Sequence, residues 1–272
     1  MRTSFATTTE ELSSVTTDPG TSGPSGLQLL VLPSIEAVAE TAAQGILEAS
    51  LQTPRRPLGL ATGRTMAPVY AALVNLVRHQ AHHVQAALRQ GWNSFNLDEY
   101  VGLGPQDPES FAAEMMGTLV GPLGLDPARV HLPDGLAPDP EVEAVRYGQA
   151  LHRAGGVGLQ LLGLGLNGHV GFNEPPSEPD CPTRCLALSA STRQANAAAF
   201  GGHPDRVPPR AITLGLADIL QAERILLVVT GAPKAPILRR LLEEPPTAAL
   251  PASWLHRHPS VCVLADPAAL GH

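Results

Sequence analysis

A mainly parallel, Rossmann-like open α/β sheet with helices on both faces is the fold that this 272-residue sequence predicts. From Leu27 onward, short apolar runs of strand length alternate with amphipathic, Ala/Leu-rich stretches. That alternation requires crossover connections, and so parallel strands. One run, Val157 to Leu162, opens into Gly163-Leu164-Gly165-Leu166-Asn167-Gly168-His169-Val170-Gly171-Phe172-Asn173-Glu174-Pro175. Its four glycines let backbone approach a ligand, and polar side chains stand between and after them at a strand's carboxyl end, where open α/β sheets bind ligands.

The elements follow in order. Residues 1–25 are rich in Thr, Ser, Gly and Pro without periodicity and are expected to form a flexible N-terminal segment; residues 26–272 form a single α/β domain. Strands are predicted at Leu27 to Leu32, Pro57 to Ala61, Trp92 to Leu97, Val157 to Leu162, Arg224 to Thr230 and Ser260 to Ala265. The first is followed by a helix capped near Ser34 and the second by a helix through Leu76. Further helices are predicted near Ser110 to Leu119, Pro140 to Ala154 with Asp139 as cap, Thr192 to Phe200 and Pro233 to Leu242. Gly201 to Arg210 has the composition of a mobile connection that, with its flanking helix, suits a lid.

Composition narrows the function. With 43% hydrophobic and 16% charged residues the chain supports one substantial core, and a net charge of -7 argues against general binding to nucleic acid or anionic membranes. The apolar runs are far too short to span a bilayer, and the first residues lack the apolar centre of a signal peptide. Cys181, Cys185 and Cys262 match no zinc or redox spacing and read as free thiols in a reducing cytoplasm.

Besides the Gly-rich loop, three segments and a lone lysine carry chemistry. Thr62-Gly63-Arg64-Thr65 is a strand-to-helix turn whose N–H groups and hydroxyls suit a phosphate dianion, although alone it is equally an ordinary turn. Asp98 and Glu99 follow an apolar strand; they suit either a solvated helix start or a general base, and neighbours in sequence diverge, so at most one faces the reacting atoms. Arg193, early in a helix, fits a bidentate phosphate ligand or a solvated face, the latter favoured on the residue alone. Lys234, the only lysine, is either an accident of an arginine-biased composition or an anion ligand at a strand-to-helix junction. Most of the ten histidines, His82, His83, His256 and His258 among them, read as surface or packing residues. His169 differs, because Glu174 on the same loop is close enough to orient and charge-stabilise its ring.

Together these residues resemble the glucosamine-6-phosphate deaminase (glucosamine-6-phosphate isomerase) family, within the broader group that includes 6-phosphogluconolactonases. The words that carry the resemblance are Phe95-Asn96-Leu97-Asp98-Glu99-Tyr100, Gly168-His169-Val170-Gly171-Phe172-Asn173-Glu174-Pro175 and Ser191-Thr192-Arg193-Gln194-Ala195-Asn196, within a likeness running from about Leu27 to Pro267. The lactonase branch is not expected to carry the Phe-Asn-Glu-Pro word. The resemblance implies hydrolytic deamination of glucosamine 6-phosphate to fructose 6-phosphate and ammonia, in amino-sugar catabolism, with no metal or organic cofactor. It assigns Asp98 as the base that moves a proton from C2 to C1, His169 as the ring-opening proton carrier and Glu174 as the group that sets its tautomer. Phosphate falls to Thr62, Gly63, Arg64 and Thr65 with Arg193 and Lys234. Asn167 replaces the Asp of many members and keeps a supporting role in ring opening, because an amide orients but carries no charge. Arg64 and Met66 also depart from the usual phosphate turn. Arg184 matches a basic residue of the allosteric members but Leu186 stands where a lysine is expected, so a monomer or small homo-oligomer is anticipated. A lactonase, a deaminase for another amino-sugar epimer, and a non-catalytic sugar-phosphate sensor are the competing readings.

Overall fold

The computed structural model describes residues 26–53 and 55–272; the expected flexible segment 1–25 lies outside them. Ten strands occur among the described residues: β1 (Leu27–Val31), β2 (Leu58–Leu60), β3 (Ser94–Asn96), β4 (Asp98–Tyr100), β5 (Val130–His131), β6 (Leu159–Gly163), β7 (Arg184–Ala187), β8 (Arg210–Thr213), β9 (Arg224–Val229) and β10 (Val261–Ala265). Seven of them form a parallel sheet in the order β1-β10-β9-β6-β2-β3-β5, flanked by helices. The largely apolar runs β6 and β9 lie at its centre, where a strand is covered on both faces, with Gln160 of β6 the buried polar exception.

The helices form where an apolar stripe meets a cap. Ile35–Leu51 buries Val38, Ala39, Ala42, Ala43, Ile46 and Leu47, a helical repeat, and the Ser34 side chain accepts the Ala37 N–H at its start. Asp139 caps Pro140–Arg153 by accepting from Glu141 and Val142. Ser110 caps Phe111–Met115, which continues as a π-helical turn through Val120. The helix His82–Gly91 is not among the predicted ones; it buries only Leu88 and is polar on balance, without an extended apolar run.

The strand order places the site. From β2 the chain builds outward through β3 to β5, whereas from β6 it builds the other way through β9 and β10. β2 and β6 are neighbours, so the order reverses between them and their loops diverge around a crevice at the carboxyl ends.

A second sheet departs from the expected architecture. Strands β4, β8 and β7 pair antiparallel, with Asp98 opposite Thr213 and Thr213 in turn opposite Arg184. The chain changes sheets at Leu97, whose N–H donates to the Leu60 carbonyl of β2 while its own carbonyl accepts from Leu214 beyond β8. Tyr100, Phe172, Leu188, Phe200 and Val207 form a separate small core beneath this sheet. Its aromatic rings pack against one another, Tyr100 meeting Phe172 and Phe200 with centroids 5.5 Å apart.

Candidate active site

The segments that follow β2, β3, β6 and β9, four adjacent strands, converge on one cavity of about 490 Å3. Thr62, Gly63, Arg64, Thr65, Asp98, His169 and Lys234 all line it, together with Met66, Leu97, Phe111, Leu166 and Asn196. A space of this size suits a small polar molecule. Asn167, Glu174 and Arg193 stand outside its wall.

The neighbouring acids of β4 divide. Asp98 faces the cavity and is 6% exposed. Burial, reinforced by the carboxylates of Glu99 and Glu114, holds its pKa well above the ordinary carboxylate range. Glu99 points the other way and accepts the N–H groups of Tyr100, Phe111 and Ala112, fixing the start of the helix Phe111–Met115. Burial raises its pKa to about 7 against the pull of those three bonds.

The loop after β6 folds back on itself. Gly165 N–H donates to the His169 carbonyl at 2.9 Å, and Gly168 N–H to the Gly165 carbonyl at 3.0 Å. A side chain at Gly165 would begin 2.4 Å from the His169 ring, so glycine is needed for the imidazole to lie across the loop. His169 Nδ1 lies 2.6 Å from Asn167 Oδ1. Burial, with Lys234 adding to it and Glu174 opposing, lowers the His169 pKa to about 4, so the ring is neutral at physiological pH.

The direct partner of the imidazole is thus Asn167, not Glu174 as the sequence suggested. Glu174 instead accepts from the N–H and hydroxyl of Ser189 and from the Thr192 hydroxyl, tying the loop to the start of the helix Ala190–Asn196. Although burial pushes its pKa up, those bonds and the nearby His169 hold it below the ordinary value. Glu174 therefore acts on His169 through charge.

Asn173 spends its polar groups on structure. Its amide donates to the carbonyls of Val170 and Leu214 and its oxygen accepts from Arg184 at 2.8 Å, while Phe172 N–H donates to the Thr213 hydroxyl. These bonds lock the Gly-rich loop to the second sheet. Arg184 also reaches Cys181 and Ser177.

The expected phosphate ligands part company. The turn Thr62–Thr65 opens the helix Met66–Arg78, and Lys234 extends its ammonium to the Leu164 carbonyl, at the cavity wall. Burial and the charge of Arg64 lower the Lys234 pKa. Arg193 does not reach the cavity: its guanidinium donates to the carbonyls of Val207 and Asp205, pinning the Gly201 to Arg210 connection. Among the described residues, no group of three or more His, Cys, Asp or Glu side chains is placed to hold a metal ion.

Sequence reasoning missed Glu114, Phe111 and Thr213. Glu114 lies within the predicted Ser110 to Leu119 helix, but nothing in the spacing tells that this helix faces the Thr62–Thr65 turn. Asn196 falls within a quoted motif and received no role; it lines the cavity and its amide donates to the Tyr100 hydroxyl at 3.0 Å.

Residues 33–263 match the family described as glucosamine-6-phosphate isomerases/6-phosphogluconolactonase. The chain belongs to this family. Among its glucosamine-6-phosphate isomerase/6-phosphogluconolactonase relatives, a glucosamine-6-phosphate deaminase of Geobacillus sp. (strain WCH70) is 41% identical over 244 residues, 90% of this chain and 95% of that protein. The solved structure of a monomeric glucosamine-6-phosphate deaminase is similar with a TM-score of 0.84 at 37% identity, covering 90% of this chain and 99% of the other. A 6-phosphogluconolactonase from Leishmania guyanensis aligns with a TM-score of 0.67 at 22% identity, over 89% of this chain and 97% of that one, a likeness of fold alone.

Proposed function

We propose that this chain is a glucosamine-6-phosphate deaminase, converting glucosamine 6-phosphate and water to fructose 6-phosphate and ammonia. The observation that carries the reading is one cavity in which a buried carboxylate, Asp98, a neutral imidazole, His169, and a cationic turn with Lys234 share the walls. The relatives named as deaminases support it.

The 6-phosphate sits against Thr62, Gly63, Arg64 and Thr65, whose helix end attracts anions, with Lys234 as the second cation. Arg193 in this conformation serves the 201–210 connection instead of the phosphate. His169 takes the proton of the anomeric hydroxyl and returns one to the ring oxygen, opening the sugar to its aldehyde. Asn167 fixes the ring's orientation and Glu174 steadies the imidazolium that forms. The C1 carbonyl acidifies the C2 proton, which Asp98 removes; the C2–H electrons become the C1–C2 double bond of an enolamine as the carbonyl π pair moves onto O1, which takes a proton from water. Return of that proton to C1 leaves an iminium at C2. Water adds there, the C–N bond breaks, and ammonia leaves as the ketone forms.

The reaction uses only protein side chains and water. We propose a monomer or small homo-oligomer in the cytoplasm: Arg184 is engaged internally by Asn173, Cys181 and Ser177, and no helix among the described residues is long and apolar enough to cross a membrane. Sedimentation of the purified protein checks the first point.

The test of activity is incubation with glucosamine 6-phosphate while ammonia and fructose 6-phosphate are followed together. Equal release of both is expected. Turnover of 6-phosphogluconolactone with no ammonia from the amino sugar would overturn the reading, and so would binding without turnover.

A further inference from the structure

A carboxylate is built into the anion seat. Glu114, on the short helix Phe111–Met115, accepts the Gly63 N–H on Oε1 at 2.8 Å. Gly63 has φ 92° and belongs to the turn that presents Thr62, Arg64 and Thr65 to the cavity. Glu114 also lines a smaller adjoining space of about 280 Å3, which shares Gly63, Arg64, Phe111 and Asn196 with the main cavity.

The position of Glu114 is itself held from behind. Glu99 accepts the first N–H groups of the helix, so the unused member of the acid pair fixes the element that carries Glu114. Around the Glu114 carboxylate stand Asp98, Glu99 and Tyr100 of β4, Tyr70 of the helix Met66–Arg78, Arg64 of the turn and Glu109 before the helix. Burial raises the Glu114 pKa, and the bond from Gly63 counters it.

An acid in this place has two opposed effects. Its oxygen fixes the Thr62–Gly63 peptide, which fixes where the N–H groups of Arg64 and Thr65 point. Its charge repels the dianion that those groups attract. On the reading that this turn holds the substrate's phosphate, we propose that Glu114 is a positioning residue that orders the anion seat while setting its affinity below what Arg64, Lys234 and the helix end alone would give.

The two effects separate in two variants. Glu114→Gln keeps the acceptor oxygen and removes the charge, whereas Glu114→Ala removes both. Sulfate is the probe, since it stays a dianion over the range used. At about pH 8 calorimetry is expected to show sulfate bound about fivefold more tightly by Glu114→Gln than by the unmodified protein. Glu114→Ala is expected to bind more weakly than Glu114→Gln. The gap between the unmodified protein and Glu114→Gln closes as the pH falls and Glu114 takes up a proton, and the KM for glucosamine 6-phosphate falls in Glu114→Gln by more than kcat changes.

Equal sulfate affinity in Glu114→Gln and the unmodified protein, with affinity still lost in Lys234→Ala, overturns the role of Glu114 and leaves the proposed function standing. Equal affinity in Glu114→Ala and Glu114→Gln overturns the positioning. Sulfate that binds Lys234→Ala as tightly as the unmodified protein places the seat elsewhere and removes both readings.

Discussion

The Oδ1 of Asn167 accepts from His169 twice, from Nδ1 at 2.6 Å and from the backbone N–H at 3.3 Å. A backbone N–H only donates, so the atom facing it is the amide oxygen, and the nearby Nδ1 must carry the ring's proton. Nε2 is left with its lone pair. The histidine is thereby set as a neutral base, in the form that accepts a proton from a sugar hydroxyl.

That relationship predicts the effect of restoring an acid. Asn167→Asp places a negative charge beside the imidazole, which stabilises imidazolium and raises its pKa from about 4. A base must be unprotonated to act, so the acid limb of kcat/KM is expected to move up by about one to three pH units. A pH–rate profile of the two proteins measures it; an unmoved limb would show that His169 does not control activity on the acid side.

Asp98→Asn is expected to separate activity from stability. Loss of the base lowers kcat by about 10²- to 10⁴-fold and stops exchange of the C2 proton with solvent. The Asp98 pKa is raised by burial, Glu99 and Glu114, so the folded state holds this proton more tightly than the unfolded state does. The stability it contributes is present at low pH and is lost as pH rises toward its folded pKa. The amide variant has no such loss and should gain on the unmodified protein as pH rises, read as a growing difference in Tm. Full C2 exchange in the variant would remove Asp98 from the chemistry.

The large sheet was legible because its main strands are apolar runs bounded by turn residues: all six predicted strands overlap observed ones, from Leu27–Val31 to Val261–Ala265. The second sheet was not. Asp98–Tyr100 contains two acids, Arg184–Ala187 is half exposed, and each is only three or four residues long. Their pairing is set by long-range contact, such as Asp98 opposite Thr213, which no local pattern records. Even Val130–His131, at the edge of the parallel sheet, is too short to leave a run.

Lys234→Ala is expected to weaken binding far more than folding. Lys234 is partly exposed and, among the described residues, its ammonium donates to the Leu164 carbonyl, so its removal leaves no buried charge behind. Loss of a charge-assisted bond to phosphate raises KM by about 10- to 100-fold. Tm should hold within a few degrees. An unchanged KM for glucosamine 6-phosphate would take the ammonium out of the binding site.

Within the site, residue types were legible and their partnerships were not. The glycines announced a loop whose backbone approaches a ligand, whereas at Gly165 the close neighbour is the loop's own His169 ring. Sequence places two polar residues within reach of His169, Glu174 five positions away and Asn167 two, without naming the partner, and the fold sets the nearer one against the ring. The motif alone assigns Arg193 to phosphate, while the carbonyls of Asp205 and Val207 that occupy it lie over ten residues on. Asn173 belongs to the same polar run, yet its bonds close the loop on Val170 and tie it to Leu214 and Arg184 on the side of the second sheet.

The His169 environment also predicts how stability responds to acid. Its pKa falls from 6.5 to about 4 on folding, chiefly through burial, so between those values the unfolded chain binds a proton that the folded one refuses. Unfolding is then favoured as pH falls, with the sign opposite to that of Asp98. The stability is fully present above about pH 6.5 and drains away toward pH 4; between pH 7 and 5 the loss amounts to about 2 kcal/mol. His169→Gln removes the titrating group and should flatten the curve by that amount. The comparison rests on the change with pH, not on absolute stability, because glutamine also alters the bond to Asn167. Denaturant unfolding of both proteins at the two pH values measures it, and parallel curves would mean that the folded imidazole takes up its proton as readily as a solvated one.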